Sequence, residues 1–232
     1  MERDLIWHIE MRIYVSMLTF KRNQIEEAIS HMFDPHATKP SVELRTRLQR
    51  LLETDRNFGR SPRSADPEKA NFAFFSTEAP GSGVEVWFSV YEAFALFTAW
   101  RLLEHGWPQT SAVSVLRQVR PSLEREHAKI LKMDRQRIFD EQRIRAMAGP
   151  GALAVSTTHP VFLVVATIQG LAGGSHAAPR TIEICHGERE LMPVIRREAG
   201  QLSTILELVA PAHMLLKQLE KTKPSKRGRG SE

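Results

Sequence analysis

The chain has 232 residues, of which 42% are hydrophobic, enough to supply a real core in one large or two small domains. Its 32 Lys and Arg against 27 Asp and Glu give a net charge of +5, but Lys221–Glu232 holds five basic side chains and one acid, so most of the excess is a tail. Composition therefore argues weakly for nucleic acid, and any DNA footprint has to be a local basic face. A single cysteine, Cys185, excludes an internal disulfide and fits a reducing cytoplasm. No signal peptide is expected, because Glu2, Arg3, Asp4, Glu10 and Arg12 interrupt the first twenty residues. The longest apolar run, Val161 to Ile168, is far too short for a membrane span.

In chain order, residues 1–16 read as an N-terminal extension. Thr19 to Phe33 is predicted to be a capped helix, with Ile25, Ala28, Ile29 and Met32 on one stripe. Ser41 caps a second helix with Glu43 in its first turn, and Leu44, Leu48, Leu51 and Leu52 form its buried side. Arg45, Arg47 and Arg50 then point away from the core. Asn57 to Lys69 is polar and Pro-rich, a loop. Asn71 to Ser76 is a candidate first strand of a hairpin, and Thr77 to Gly83 its turn. Val84, Val86 and Phe88 alternate with Glu85 and Trp87, the pattern of a half-buried strand. Ser89-Val90-Tyr91-Glu92 has the form of a capping box, Ala93 to Leu103 continues at helical spacing, and His105-Gly106 with Pro108 stops the helix.

This last stretch, Gly83 to Val119, resembles the MerR-type winged helix-turn-helix. Phe88-Ser89 stands for the family's aromatic-Ser, Glu92 for the acid of the following helix, and Glu104-His105-Gly106-Trp107 for its Gly-aromatic stop. The resemblance implies a winged helix-turn-helix over 17–120 and a dimerising helix after it. Ala112, Val115, Leu116 and Val119 mark a short helix ended by Pro121. Ser122 to about Met147 is then predicted to be one long helix with a thin apolar seam, assigned to 121–148.

Gly149-Pro150-Gly151 marks a boundary. Beyond it, residues 151–220 read as a small β-β-α accessory or regulatory module: strands at Val161–Thr167 and Arg180–His186, a Gly/Ala-rich loop over Leu171–Pro179, and a helix through Leu202, Ile205, Leu206 and Val209. Residues 221–232 are expected to be a disordered basic tail. The fold class is α+β, mainly helical.

The expected function is that of a bacterial-style, DNA-binding transcriptional regulator. It would act as a homodimer on duplex DNA, placing two copies of the second helix in successive major grooves. The candidate contacts are Lys21, Arg22, Arg45, Arg47, Gln49, Arg50, Arg56 and Arg60, chosen because guanidinium and amide groups read phosphates and purine edges. Three departures from the family motivate an alternative, a protein-interaction or assembly component that reuses the winged-helix shape. The second helix reads Leu48-Gln49-Arg50-Leu51-Leu52-Glu53, the Asp34–Pro40 connection is long, and the hairpin turn carries Glu78 rather than a basic tip. A small-molecule or protein effector of 151–220 is a third, weaker expectation. No cofactor, metal site or catalytic residue is expected: Cys185-His186 is the only Cys-His pair, and no phosphate-binding glycine motif or nucleophile motif occurs.

Overall fold

The structure, a computed structural model, describes residues 18–79, 84–149, 155–167, 179, 181–198 and 202–224. The expected extension 1–16, the hairpin tip 80–83, the boundary residues 150 and 151, nearly all of the 171–179 loop and most of the tail lie outside them. The described part is mainly helical with two small antiparallel sheets.

The chain enters as β1 (Thr19–Lys21) and turns at once into α1 (Arg22–Phe33). The Lys21 amide donates to Gln24 Oε1 at 3.0 Å, closing the first turn. α2 (Val42–Phe58) starts at Ser41, whose Oγ accepts the Leu44 amide at 3.1 Å, and stops at Gly59, where a φ of +65° takes the chain out of the helix. After the single turn α3 (Pro67–Ala70), the chain reaches β2 (Trp87–Ser89) and then α4 (Val90–Glu104). The capping box forms as read: Ser89 Oγ accepts the Glu92 amide at 3.2 Å and Glu92 Oε2 accepts the Ser89 amide at 2.7 Å. α4 is buried on nearly every side and is the central post of the helical layer.

The expected strand at Asn71–Ser76 does not form. β2 pairs instead with β1, through Thr19↔Ser89, Phe20↔Phe88 and Lys21↔Trp87. The 71–76 backbone is satisfied by side chains rather than by a ladder. Asp55 accepts the amides of Ala73 and Phe74 at 3.0 and 2.9 Å, and Arg120 donates to the carbonyls of Phe72 and Phe75, both at 2.8 Å. With its polar groups met, the Phe72–Phe75 run sinks completely into the core.

The long helix is also placed differently. α5 spans Gln109–Ile130 and carries Pro121 in its interior. A mid-helix proline costs about 3 kcal/mol, and here the helix is held by burial of Leu116, Val119, Leu123 and Ile130 together with Arg117 and Arg120. Beyond Ile130 the chain breaks into two short helices, α6 (Arg135–Ile138) and α7 (Glu141–Met147). Asp134 and Asp140 are the reason: each accepts backbone amides at a new N-terminus, Gln136 in one case, Gln142 and Arg143 in the other.

The C-terminal part is richer than β-β-α. β3 (Val161–Thr167) is the centre of a sheet ordered β4-β3-β5, with β4 at Thr181–His186 and β5 at Leu202–Glu207. Residues 202–207, expected to be helical, form that third strand. Between β4 and β5 lies α8 (Gly187–Arg197), and α9 (Val209–Leu219) follows β5. β3 is apolar up to its last residue, Thr167, because both its faces are covered. Val161, Leu163 and Val165 join the main core, whereas Phe162 and Val164 pack with Cys185, Leu191 and Val194 under α8. The main core is continuous from Phe20 to Leu219. α9 lies against α1, and Gln24 Nε2 donates to Thr222 O and Oγ1, both at 3.3 Å, fastening the beginning of the helical layer to the end of α9.

Candidate nucleic-acid interface

α2 buries Leu44, Leu48, Leu51, Leu52 and Asp55, so its opposite arc faces solvent. At 100° per residue, Arg45 and Arg50 stand about 140° apart around the helix and about 7.5 Å apart along it, with Gln49 and Thr46 on the crest between them. All four are exposed. The helix is fixed from behind by Gln109, which donates to Arg50 O at 3.2 Å and also to Thr54 Oγ1, and by the buried Asp55.

The other expected contacts are drawn into pairs. Arg47 bridges Glu43, at 2.6 Å, and Glu104, at the end of α4, which makes it a brace between helices. Gln49 Nε2 donates to Glu53 Oε1 at 2.8 Å along the same arc. Lys21 Nζ lies 2.6 Å from Glu85 and over the Trp87 ring, and Arg22 lies 3.0 Å from Glu26. Arg56 and Arg60 cover the rings of Phe75 and Phe72, and Arg60 also meets Glu78 at 3.1 Å. These last two seal the aromatic run rather than reach outward.

Arg45, Arg50 and Arg56 have no carboxylate within ion-pair distance among the described residues, and of the three only Arg56 is laid over a ring, that of Phe75. Arg45 still acts at a distance. Burial raises the Glu26 carboxyl above its ordinary range, against the pull of Arg22 and Arg45.

Two arginines outside the expected set matter more to the fold than any within it. Arg117 is fully buried, with Nε 2.6 Å from Asp55 Oδ1 and further donations to the carbonyls of Asp55, Gly59 and Glu68. Arg120 anchors the 72–75 segment. Their spacing with Val113, Leu116 and Leu123 puts both on the apolar side of α5, a signal readable from sequence as charges on a buried stripe. Cys185 is buried beneath α8, whereas His186 turns outward to Glu126 and Glu190, at 3.1 and 3.0 Å. Among the described residues no cluster of His, Cys, Asp or Glu is placed to hold a metal ion, and no helix is long and apolar enough to cross a membrane.

The chain matches no family model, no curated protein and no solved structure.

Proposed function

We propose that this chain is a DNA-binding regulator of MerR-like type that docks α2 against duplex DNA. The observation that carries the reading is the arrangement of that arc: two guanidiniums with no ion-pair partner among the described residues flank a crest of Gln49 and Thr46 on a helix braced from behind. A helix fits the major groove, about 12 Å wide, with its flanks near the phosphates of the two walls and its crest near base edges. Arg45 and Arg50 supply the phosphate contacts, and Gln49 offers the amide that pairs with adenine. Arg47 keeps α2 in position against α4 and reads nothing. The hairpin expected as a wing does not form, and the short β1–β2 ribbon that does has Lys21 already paired with Glu85, so the proposal assigns no phosphate grip to a wing.

The reading is made for the single chain. Dimerisation was expected from a helix over 122–147; here Leu123 and Ile130 are buried in their own core and α5 ends at Ile130. Sizing of a protein–DNA complex measures the number of chains directly.

The test is fluorescence anisotropy with a labelled random-sequence duplex, across a series of salt concentrations. Binding at low salt is expected. Replacing Arg45 and Arg50 by alanine is expected to weaken it and to lower the slope of log affinity against log salt by about 1.8, which is two phosphate contacts. Absence of binding to any duplex at low salt overturns the proposal. So does a slope unchanged in the double variant, which assigns the attraction to the basic tail. The second reading, a protein-interaction component, is favoured by Glu43 and Glu53 on the same arc; capture of a stable protein partner with no affinity for DNA is the result that selects it.

A further inference from the structure

Where the end of α1, the second half of α4 and the β5–α9 corner meet, they enclose a cavity of about 510 Å³ that opens to solvent. That volume lies in the range of small-molecule sites, roughly 300–1,000 Å³. Its wall is apolar: Met32 and Phe33 from α1, Phe97 from α4, Leu206 from β5, Pro211 and Met214 from α9. Phe33 stacks on Phe97 at a centroid distance of 6.4 Å and meets the Trp100 ring edge-on at 5.1 Å. Phe33 and Met214 nevertheless remain 54% and 46% exposed, large apolar surface left facing the opening.

Arg101 and Glu207 are the guanidinium and the carboxyl on this wall. Arg101 is half-buried, with its guanidinium carbon 5.9 Å from the centre of the Phe33 ring, and no carboxylate lies within ion-pair distance of it among the described residues. The polar lining also includes His105, Ser156, Glu207 and Thr98, of which the last two are taken up by the fold. Glu207 accepts the amides of Val209 and Ala210 at 2.8 and 3.0 Å, and Thr98 Oγ1 donates to Phe94 O at 2.8 Å. A planar cation against an aromatic floor, at the mouth of an apolar cavity, is complementary to one kind of molecule: an apolar body ending in a planar anion.

We propose that this cavity binds a small organic carboxylate, its hydrocarbon part between Phe33, Phe97 and Met214 and its carboxylate paired with the Arg101 guanidinium. The site is separate from the exposed arc of α2, so it stands or falls independently of DNA binding.

Calorimetric titration of the full chain with dodecanoate, 2-naphthoate and the uncharged dodecanol tests it. The two acids distinguish an aliphatic from an aromatic occupant. At least one acid is expected to bind with one molecule per chain, and dodecanol about tenfold more weakly than dodecanoate if the aliphatic acid is the one held. Arg101→Gln is expected to weaken the bound acid about tenfold, and Arg101→Lys to restore part of the loss. Met214→Glu, on an exposed wall position, places a like charge beside the carboxylate and is expected to abolish binding even if Arg101→Gln does not fold. Failure of both acids to bind overturns the proposal. So does equal affinity for acid and alcohol, or affinity for the bound acid that Arg101→Gln and Met214→Glu leave unchanged.

Discussion

Replacing Arg117 by methionine removes a fully buried guanidinium that ties α5 to α2 and to the 59–68 segment. Asp55, wholly buried, accepts from Arg117 Nε and from the amides of Ala73 and Phe74; Arg117 also supplies the carbonyls of Asp55, Gly59 and Glu68, and its guanidinium lies between the rings of Phe58 and Phe72 at 5.3 and 5.4 Å. Methionine has comparable length and fills most of the space, so a cavity contributes little. The loss is electrostatic: a carboxylate in a dry site keeps two amides and no counter-charge, and three carbonyls lose a donor. Breaking a buried pair in this way costs about 3–5 kcal/mol, a large share of the roughly 5–15 kcal/mol that holds a domain folded. In urea, with a denaturant slope of about 2 kcal/mol per molar, the midpoint is expected to fall by about 2 M. The comparison is Arg145→Ala, which breaks only the solvent-exposed contact to Glu141 and is expected to leave the midpoint where it was. Removing Asp55 as well (Asp55→Ala with Arg117→Met) recovers only part of the loss, because Ala73 and Phe74 then lack their acceptor. A change below about 1 kcal/mol for Arg117→Met would refute the reasoning and mean that water or a rearranged carboxylate replaces the guanidinium at little cost.

The buried histidines make stability depend on pH. Burial lowers His127 to about 3 and His213 to about 4, His127 stacked on Phe94 at 4.5 Å and His213 bonded to Ile130 O at 3.0 Å. Their folded values lie below the unfolded value near 6.5, so the unfolded chain binds protons first. Stability is thus complete above about pH 6.5 and declines as pH falls towards 4 and then 3. Urea titrations from pH 7 to 4 are expected to show a slope lower by up to about 1.4 kcal/mol per pH unit in His127→Phe than in the wild type; parallel slopes would count against a neutral His127, and the raised carboxyls of Glu26 and Glu207 cancel in the comparison. At the head of α4, Ser89→Ala removes the acceptor for the Glu92 amide and is expected to cost about 1 kcal/mol by thermal unfolding. Glu92→Ala is expected to cost more, since that carboxylate also accepts from Ser76 Oγ at 2.6 Å and faces Arg120 at 3.8 Å.

Helices whose signals were local were legible from the chain. The Ser41 cap and leucine stripe of α2, the Ser89–Glu92 box and the Gly106 stop of α4 all lie within a few residues of the backbone they control, and each stands where it was read. What escaped was decided over longer range. Asp134 and Asp140 lie inside the stretch that reads as one long helix, and each caps a new, short one. Pro121 looked like a terminator, yet the burial of its neighbours carries α5 through it. Arg101 carried no signal at all, because its interest lies in what surrounds it, the Phe33 ring and the apolar wall, which come from distant parts of the chain.

From its amino acids alone, the chain determined a mainly helical α+β protein, the polar outer arc of α2, and an apolar strand at Val161–Thr167. Only the folded structure decided that β2 takes β1 as its partner, that Leu202–Glu207 is a strand, and that Arg47 is a brace while Arg45 and Arg50 have no ion-pair partner among the described residues. The physical reason is the range of the interactions. Caps, helical stripes and alternation act between residues a few positions apart. Strand pairing, ion pairs such as Arg117–Asp55 and the walls of a cavity join residues tens to hundreds of positions apart, and nothing in the local pattern names the partner.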